Sequence, residues 1–152
     1  MIINPGNVFD AFLYPNSVVV HGCNAQGVMG SGVAKVVRND FPGAYYEYLR
    51  RHEERGLTLG EIIPVPVLPN RWIINAITQE FYGRDGKRYV SYDAIRNAFD
   101  SVATWAEANE IETINYPKIG AGLGGGNWDH IAEIIDEALF GLQHFCWDPE
   151  HA

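Results

Sequence analysis

Two glycine-rich stretches collect the residue types that a phosphate needs. The first is His21-Gly22-Cys23-Asn24-Ala25-Gln26-Gly27-Val28-Met29-Gly30-Ser31-Gly32, directly after the apolar run Val18-Val19-Val20. The second is Lys118-Ile119-Gly120-Ala121-Gly122-Leu123-Gly124-Gly125-Gly126-Asn127, after Thr113-Ile114-Asn115-Tyr116-Pro117. The first peptide N–H groups of a helix have no intrahelical partner and sit at the positive end of its dipole. A loop that enters a helix there cradles an anion. Glycine allows the backbone to approach a phosphate closely and to take positive φ at little cost. One such loop is weak evidence. Two in a short chain point to a diphosphate held from both sides.

The elements that must position these loops follow from hydrophobic periodicity. Ile2-Ile3 and 17–23 read as strands, the second apolar enough to lie in a sheet covered on both faces. A helix is expected from Gly30-Ser31 to just before Phe41-Pro42, and another over 43–55. Residues 61–65 and 72–76 read as strands, with Pro64 and Pro66 ending the first early or placing it at an edge. Ser91 is the expected N-cap of a long helix whose Ile95, Phe99, Val102 and Ala106 share one face. Residues 113–116 form a short strand. Asn127 caps a last helix striped by Ile131, Ile134, Ile135, Ala138 and Leu139, and 145–147 form a closing strand. Strands alternating with helices mean an α/β fold with a largely parallel central sheet. Ligands of such sheets sit outside the carboxyl ends of the strands, where both loops fall.

A chain of 152 residues fits one domain, 1–152. Apolar content of 47% with 20% charged residues is ordinary for a soluble globular protein. A formal net charge of −8 argues against an extended nucleic-acid partner, which needs many cationic contacts. It also disfavours steering of an anion from a distance, so phosphate recognition is expected from backbone amides without help from cationic side chains. No apolar run approaches the roughly 20 residues of a membrane span. The start Met1-Ile2-Ile3-Asn4-Pro5 lacks the basic and long apolar segments of a secretory signal. The expectation is a cytoplasmic monomer with no membrane partner. Cys23 and Cys146 read as free, buried thiols. His21, His52, His130, His144 and His151 show no metal-ligand spacing, so neither metal nor cofactor is expected.

The chain resembles a macro domain, the module that binds ADP-ribose and its derivatives, over nearly its full length. The resemblance rests on Gly6-Asn7, on His21-x-Cys23-Asn24-x-Gln26-Gly27-x-x-Gly30-x-Gly32-x-Ala34, and on Pro117-x-Ile119-x-x-Gly122-Leu123-x-Gly125-x-x-Trp128. It is most similar to the branch of yeast-type ADP-ribose 1''-phosphate phosphatases and their bacterial and phage relatives. The fold implied is a three-layer α/β/α sandwich around a mixed, largely parallel sheet. The resemblance implies that Gly27, Val28, Met29, Gly30, Ser31, Gly32 and Val33, with Gln26 beside them, wrap the distal ribose and one phosphate. Ile119, Gly120, Ala121, Gly122, Leu123, Gly124 and Gly125 would clasp the diphosphate from the other side. Asn24 would hydrogen-bond the distal ribose, Asn7 and Val8 would meet the adenine, and Trp147 or Phe9 would face its ring.

In that branch the position of His21 carries a catalytic part. A histidine titrating near pH 6.5 can protonate a leaving ribose oxygen or accept from an attacking water. Asp129, directly after the second loop, is the candidate second group. Both have plainer readings, His21 as a buried strand histidine and Asp129 as an acid in a first helical turn. The family's glycohydrolases use a lysine after the fourth strand and, in one branch, an aspartate in the second loop; Gln79 and Gly124 stand there. Lys87 could substitute only if the segment 81–89 folds inward. The expected activity is hydrolysis of ADP-ribose 1''-phosphate to ADP-ribose and phosphate. The alternatives are a binding module without catalysis, an ADP-ribosyl hydrolase, and a Rossmann dehydrogenase, because Gly120-x-Gly122-x-x-Gly125 matches the dinucleotide fingerprint with Asp148 downstream.

Overall fold

The computed structural model describes residues 1–151. Its six strands are β1 (Ile2–Pro5), β2 (Ser17–Asn24), β3 (Ile62–Leu68), β4 (Arg71–Gln79), β5 (Thr113–Tyr116) and β6 (His144–Asp148). They form one sheet in the order β1-β6-β5-β2-β4-β3. Every neighbouring pair is parallel except the β3–β4 hairpin. Four α-helices cover it: α1 (Gly32–Asp40), α2 (Pro42–Arg55), α3 (Tyr92–Ala108) and α4 (Trp128–Ala138).

Two-sided burial explains why β2 is apolar throughout. Val18 and Val20 join the core that includes Ile95, Phe99, Ile131 and Ile135 of α3 and α4. Val19 and Cys23, pointing the other way, join Val37, Ala44 and Tyr48 of α1 and α2. The three layers and the mixed, mostly parallel sheet are those expected from the sequence.

Element ends follow local chemistry. Ser91 Oγ accepts from Ala94 N at 3.1 Å and Asn127 Oδ1 from His130 N at 3.2 Å, so both predicted N-caps hold their helices. Helix α1 begins later than expected, with Ser31 in the N-cap position but making no side-chain cap bond. Helix α2 begins at Pro42, whose fixed φ suits a first helical turn. Strand β3 does not end at its prolines. It runs through Pro64 and Pro66 to Leu68, which an edge strand tolerates because alternate N–H groups face away from the partner.

A 3-10 helix over Val8–Leu13 was not foreseen. Asn7 Oδ1 accepts from Phe9 N at 2.9 Å while Asp10 Oδ2 accepts from Asn7 N at 3.2 Å, a reciprocal cap. The carboxyl ends of β2, β4 and β5 finish side by side, and the loops leaving them build the site.

Candidate functional site

One cavity of about 610 Å³ opens where β2, β4 and β5 end, within the range of small-molecule sites. Its wall is built from four chain segments. These are the end of β2 with the first glycine loop, the end of β4, the segment 82–84, and the second glycine loop.

The first loop is shaped by Asn24. Its Oδ1 accepts from Gln26 N at 2.9 Å, and its Nδ2 donates to Val28 O at 2.8 Å. Tyr48 of α2 donates its hydroxyl to Asn24 O at 2.6 Å and receives Val28 N at 3.1 Å. Gly27 has φ +79°, and a Cβ there would meet His52 Nδ1 at 2.6 Å, so glycine is required. The Asn24 amide is thus largely spent on the loop itself. Asn24→Ala is expected to cost about 1–3 kcal/mol of stability by orphaning these partners, with loss of ligand affinity following from the unformed loop. Urea unfolding and calorimetry on the same sample would check both.

His21 is 1% exposed and lies on the α2 side of β2. Asn75 Nδ2 donates to Ala44 O at 3.0 Å, which turns its Oδ1 toward His21 Nε2, 2.6 Å away. The imidazole is therefore the neutral Nε2–H tautomer, donating to Asn75. Burial lowers its pKa to about 4, against the opposing pull of the Asn75 bond. At neutral pH it has no proton to give beyond that bond, so the acid role expected from the sequence does not suit this geometry. Burial likewise pushes the Cys23 thiol far above its usual range, which makes it inert.

The second loop folds back on itself and on the segment 80–89. Gly126 N donates to Gly120 O at 2.7 Å, and Tyr89 N and Val90 N both donate to Gly124 O, at 2.7 and 3.1 Å. That segment thereby becomes a strap along the cavity. Its Arg84 Nη2 donates to Ser31 Oγ across the mouth at 2.6 Å. The expectation of a site without cationic side chains needs correction, because Arg84 and Lys118 both line the cavity. Lys87 does not line it. Its side chain is 78% exposed, with Nζ 3.8 Å from Asp85.

Of the predicted residues, His21, Asn24, Val28, Gly30, Ser31, Gly32 and Val33 line the cavity, as do Ile119, Gly120, Gly122, Leu123 and Gly124. Asn7, Val8, Gln26, Gly27, Met29, Ala121, Gly125, Trp147 and Asp129 do not. Met29 and Val8 are buried in the core beneath α1 and α2. Trp147 Nε1 donates to Asn115 Oδ1 at 2.9 Å. Asp129 is exposed in the first turn of α4. Sequence reasoning did not anticipate Thr78, Tyr82, Gly83 or Arg84 in the wall. Thr78 lies near the end of β4. Tyr82, Gly83 and Arg84 precede α3 without periodicity, and only the turn residues Gly83 and Gly86 mark that segment as a loop.

Residues 20–135 match the macro domain family. The chain belongs to that family. This macro domain is 29% identical over 142 residues to an ADP-ribose 1''-phosphate phosphatase of Scheffersomyces stipitis, covering 78% of this chain and 82% of the yeast protein. It is 27% identical over 141 residues to a DNA ADP-ribosyl glycohydrolase of Thermus aquaticus; the match covers 91% of this chain but 37% of that longer protein. The solved macrodomain of Thermus aquaticus DarG superposes with a TM-score of 0.79 at 25% identity, covering 97% of each chain. The dinucleotide fingerprint is accordingly the second loop of a macro domain. Among the described residues β6 alone follows it in the sheet.

Proposed function

We propose that this macro domain binds ADP-ribose between its two glycine loops and hydrolyses ADP-ribose 1''-phosphate to ADP-ribose and phosphate. The observation that carries the reading is that loops nearly a hundred residues apart in the chain close on one cavity of about 610 Å³. Both supply glycine backbone to its wall, the arrangement a diphosphate needs. The yeast relative's name supplies the substrate. The adenine end would run past the cavity toward Asn7 and Val8. A Cβ on Gly6 would lie 3.7 Å from the Trp147 ring, so the chain entering Asn7 passes beside that ring.

In the hydrolysis a water oxygen bonds to the terminal phosphorus while the bond from phosphorus to the anomeric oxygen breaks, and that oxygen takes up a proton. Phosphoryl transfer of this kind depends mainly on positioning and charge stabilisation, which loop amides supply without a protein acid. Binding without turnover is the second reading, favoured by a His21 held neutral and an Asp129 outside the cavity. A lysine-dependent glycohydrolase reading is less favoured, since Gln79 stands in that part of the wall, although the Thermus aquaticus relative carries a glycohydrolase name.

Gly122→Val separates ligand blocking from misfolding. A Cβ at Gly122 meets nothing within 4 Å, so the protein accepts the side chain while the cavity loses room. Stability is expected to stay within about 0.5 kcal/mol of the parent, with ADP-ribose binding abolished in calorimetry. Unchanged affinity would remove the second loop from the site. Phosphate release from ADP-ribose 1''-phosphate, or its absence despite tight binding, decides between the two readings.

A further inference from the structure

We infer that Arg84 is the side chain that reads the ligand's phosphate charge, its guanidinium passing from the Ser31 hydroxyl to a phosphate oxygen when the cavity fills. The inference rests on the ADP-ribose reading above. A chain with 11 basic against 19 acidic residues repels an anion at long range, so attraction must come from groups placed at the site, and a cation on its wall adds to what the loop amides supply. Of the other arginines, Arg50 is engaged by Glu47 and Glu54, Arg55 by Glu61 and Arg96 by Glu137, while Arg71 donates to the Phe12 and Pro69 carbonyls and Arg88 lies over the Tyr92 ring; none of them lines the cavity. Lys118, also on the cavity wall, stands 3.2 Å from Asp148.

Arg84 differs. Among the described residues no carboxylate lies within 4.0 Å of its guanidinium. Its side chain donates instead to a neutral hydroxyl, Ser31 Oγ, at 2.6 Å. A guanidinium presents a planar fork of donors matched to phosphate oxygens, and here most of that fork is unspent. Ser31 belongs to the first glycine loop and Arg84 to the strap. The bond between them therefore crosses the mouth of the cavity that both line. A phosphate oxygen arriving beside Ser31 would give the guanidinium the anionic partner it lacks, and would be gripped from loop and strap together. The strap is anchored to the second loop through Gly124 O, so one phosphate contact links all three segments.

The test is calorimetric titration of the parent, Arg84→Met and Arg84→Lys with ADP-ribose and with ADP-ribose 1''-phosphate, at about 0.05 M and about 0.5 M sodium chloride. Arg84→Met is expected to bind ADP-ribose roughly 10–100-fold more weakly at low salt. It should also lose most of the parent's salt dependence. Arg84→Lys should recover part of the affinity, as a point charge without the fork. A larger penalty for ADP-ribose 1''-phosphate than for ADP-ribose places the contact at the anomeric phosphate; equal penalties place it at the diphosphate. Arg84 is exposed, so the variants should melt with the parent. Affinity within about twofold of the parent, or an unchanged salt dependence, overturns the inference while leaving ADP-ribose binding intact. If the parent itself takes up no ADP-ribose, the functional reading fails first.

Discussion

Gly125→Ala is expected to lose roughly 2–4 kcal/mol of stability, and ADP-ribose affinity with it. Gly125 has φ +71°, where an L side chain is strained. A Cβ there would also run into Lys87 O and lie 2.9 Å from Arg88 Cα, both backbone atoms of the strap. Neither can rotate away, so the strap or the second loop must leave its place. Gly86→Ala is the control. Its φ is +79°, yet a Cβ there meets nothing within 4 Å, so only the backbone cost of about 1–2 kcal/mol applies. Urea unfolding of the two variants measures the difference. Equal losses would mean that the contact between second loop and strap carries no weight. Gly125 thus acts on the site from outside its wall, by holding the strap that carries Arg84.

Acidification is expected to unfold this protein partly through His21. The unfolded imidazole takes up a proton near pH 6.5, the folded one only near pH 4. Between those values the unfolded state binds more protons, so stability falls as pH falls through this window. The loss amounts to about 2 kcal/mol at pH 5 and about 3 kcal/mol at pH 4. Burial lowers the His144 pKa as well, which adds in the same direction. His21→Gln isolates the first contribution. It should be less stable than the parent at pH 7, because the Asn75 pairing is disturbed, but its stability should fall less between pH 7 and pH 5. Parallel curves for parent and variant would show that His21 titrates normally in the fold. The same variant tests catalysis. A proton donor or acceptor at His21 would make its loss cost orders of magnitude in phosphate release, whereas surviving turnover would make His21 a structural residue.

Much of the scaffold was legible because its signals are local. Ser91 and Asn127 are capping residues directly ahead of apolar stripes, and both caps formed. The β2 run is apolar at successive positions, which only a sheet covered on both sides can bury, and it lies at the centre of this one. The prolines of β3 correctly marked an edge but not an end, since an unpaired side makes their missing N–H groups harmless. The 3-10 helix at Val8–Leu13 escaped notice because its cap, Asn7 with Asp10, spans only four residues and carries no periodicity.

The site divides along the same line. Glycine spacing after a strand is a property of neighbouring residues, so both loops and their family likeness could be read directly from the chain. Whether a side chain in those loops faces solvent, ligand or core depends on partners far away in sequence. His21 is neutral because Asn75 and Ala44, from β4 and α2, enclose it. Asn24 is committed because Tyr48 and Val28 claim it. Arg84 reaches the mouth because Gly124 and Gly125 dock the strap from 35 or more residues downstream. Local composition therefore determined the strands, the caps and the two glycine-rich bends. Burial and charge pairing come from contacts between distant segments, and only the tertiary structure decided which residues could titrate and which cation stood at the opening without a carboxylate partner.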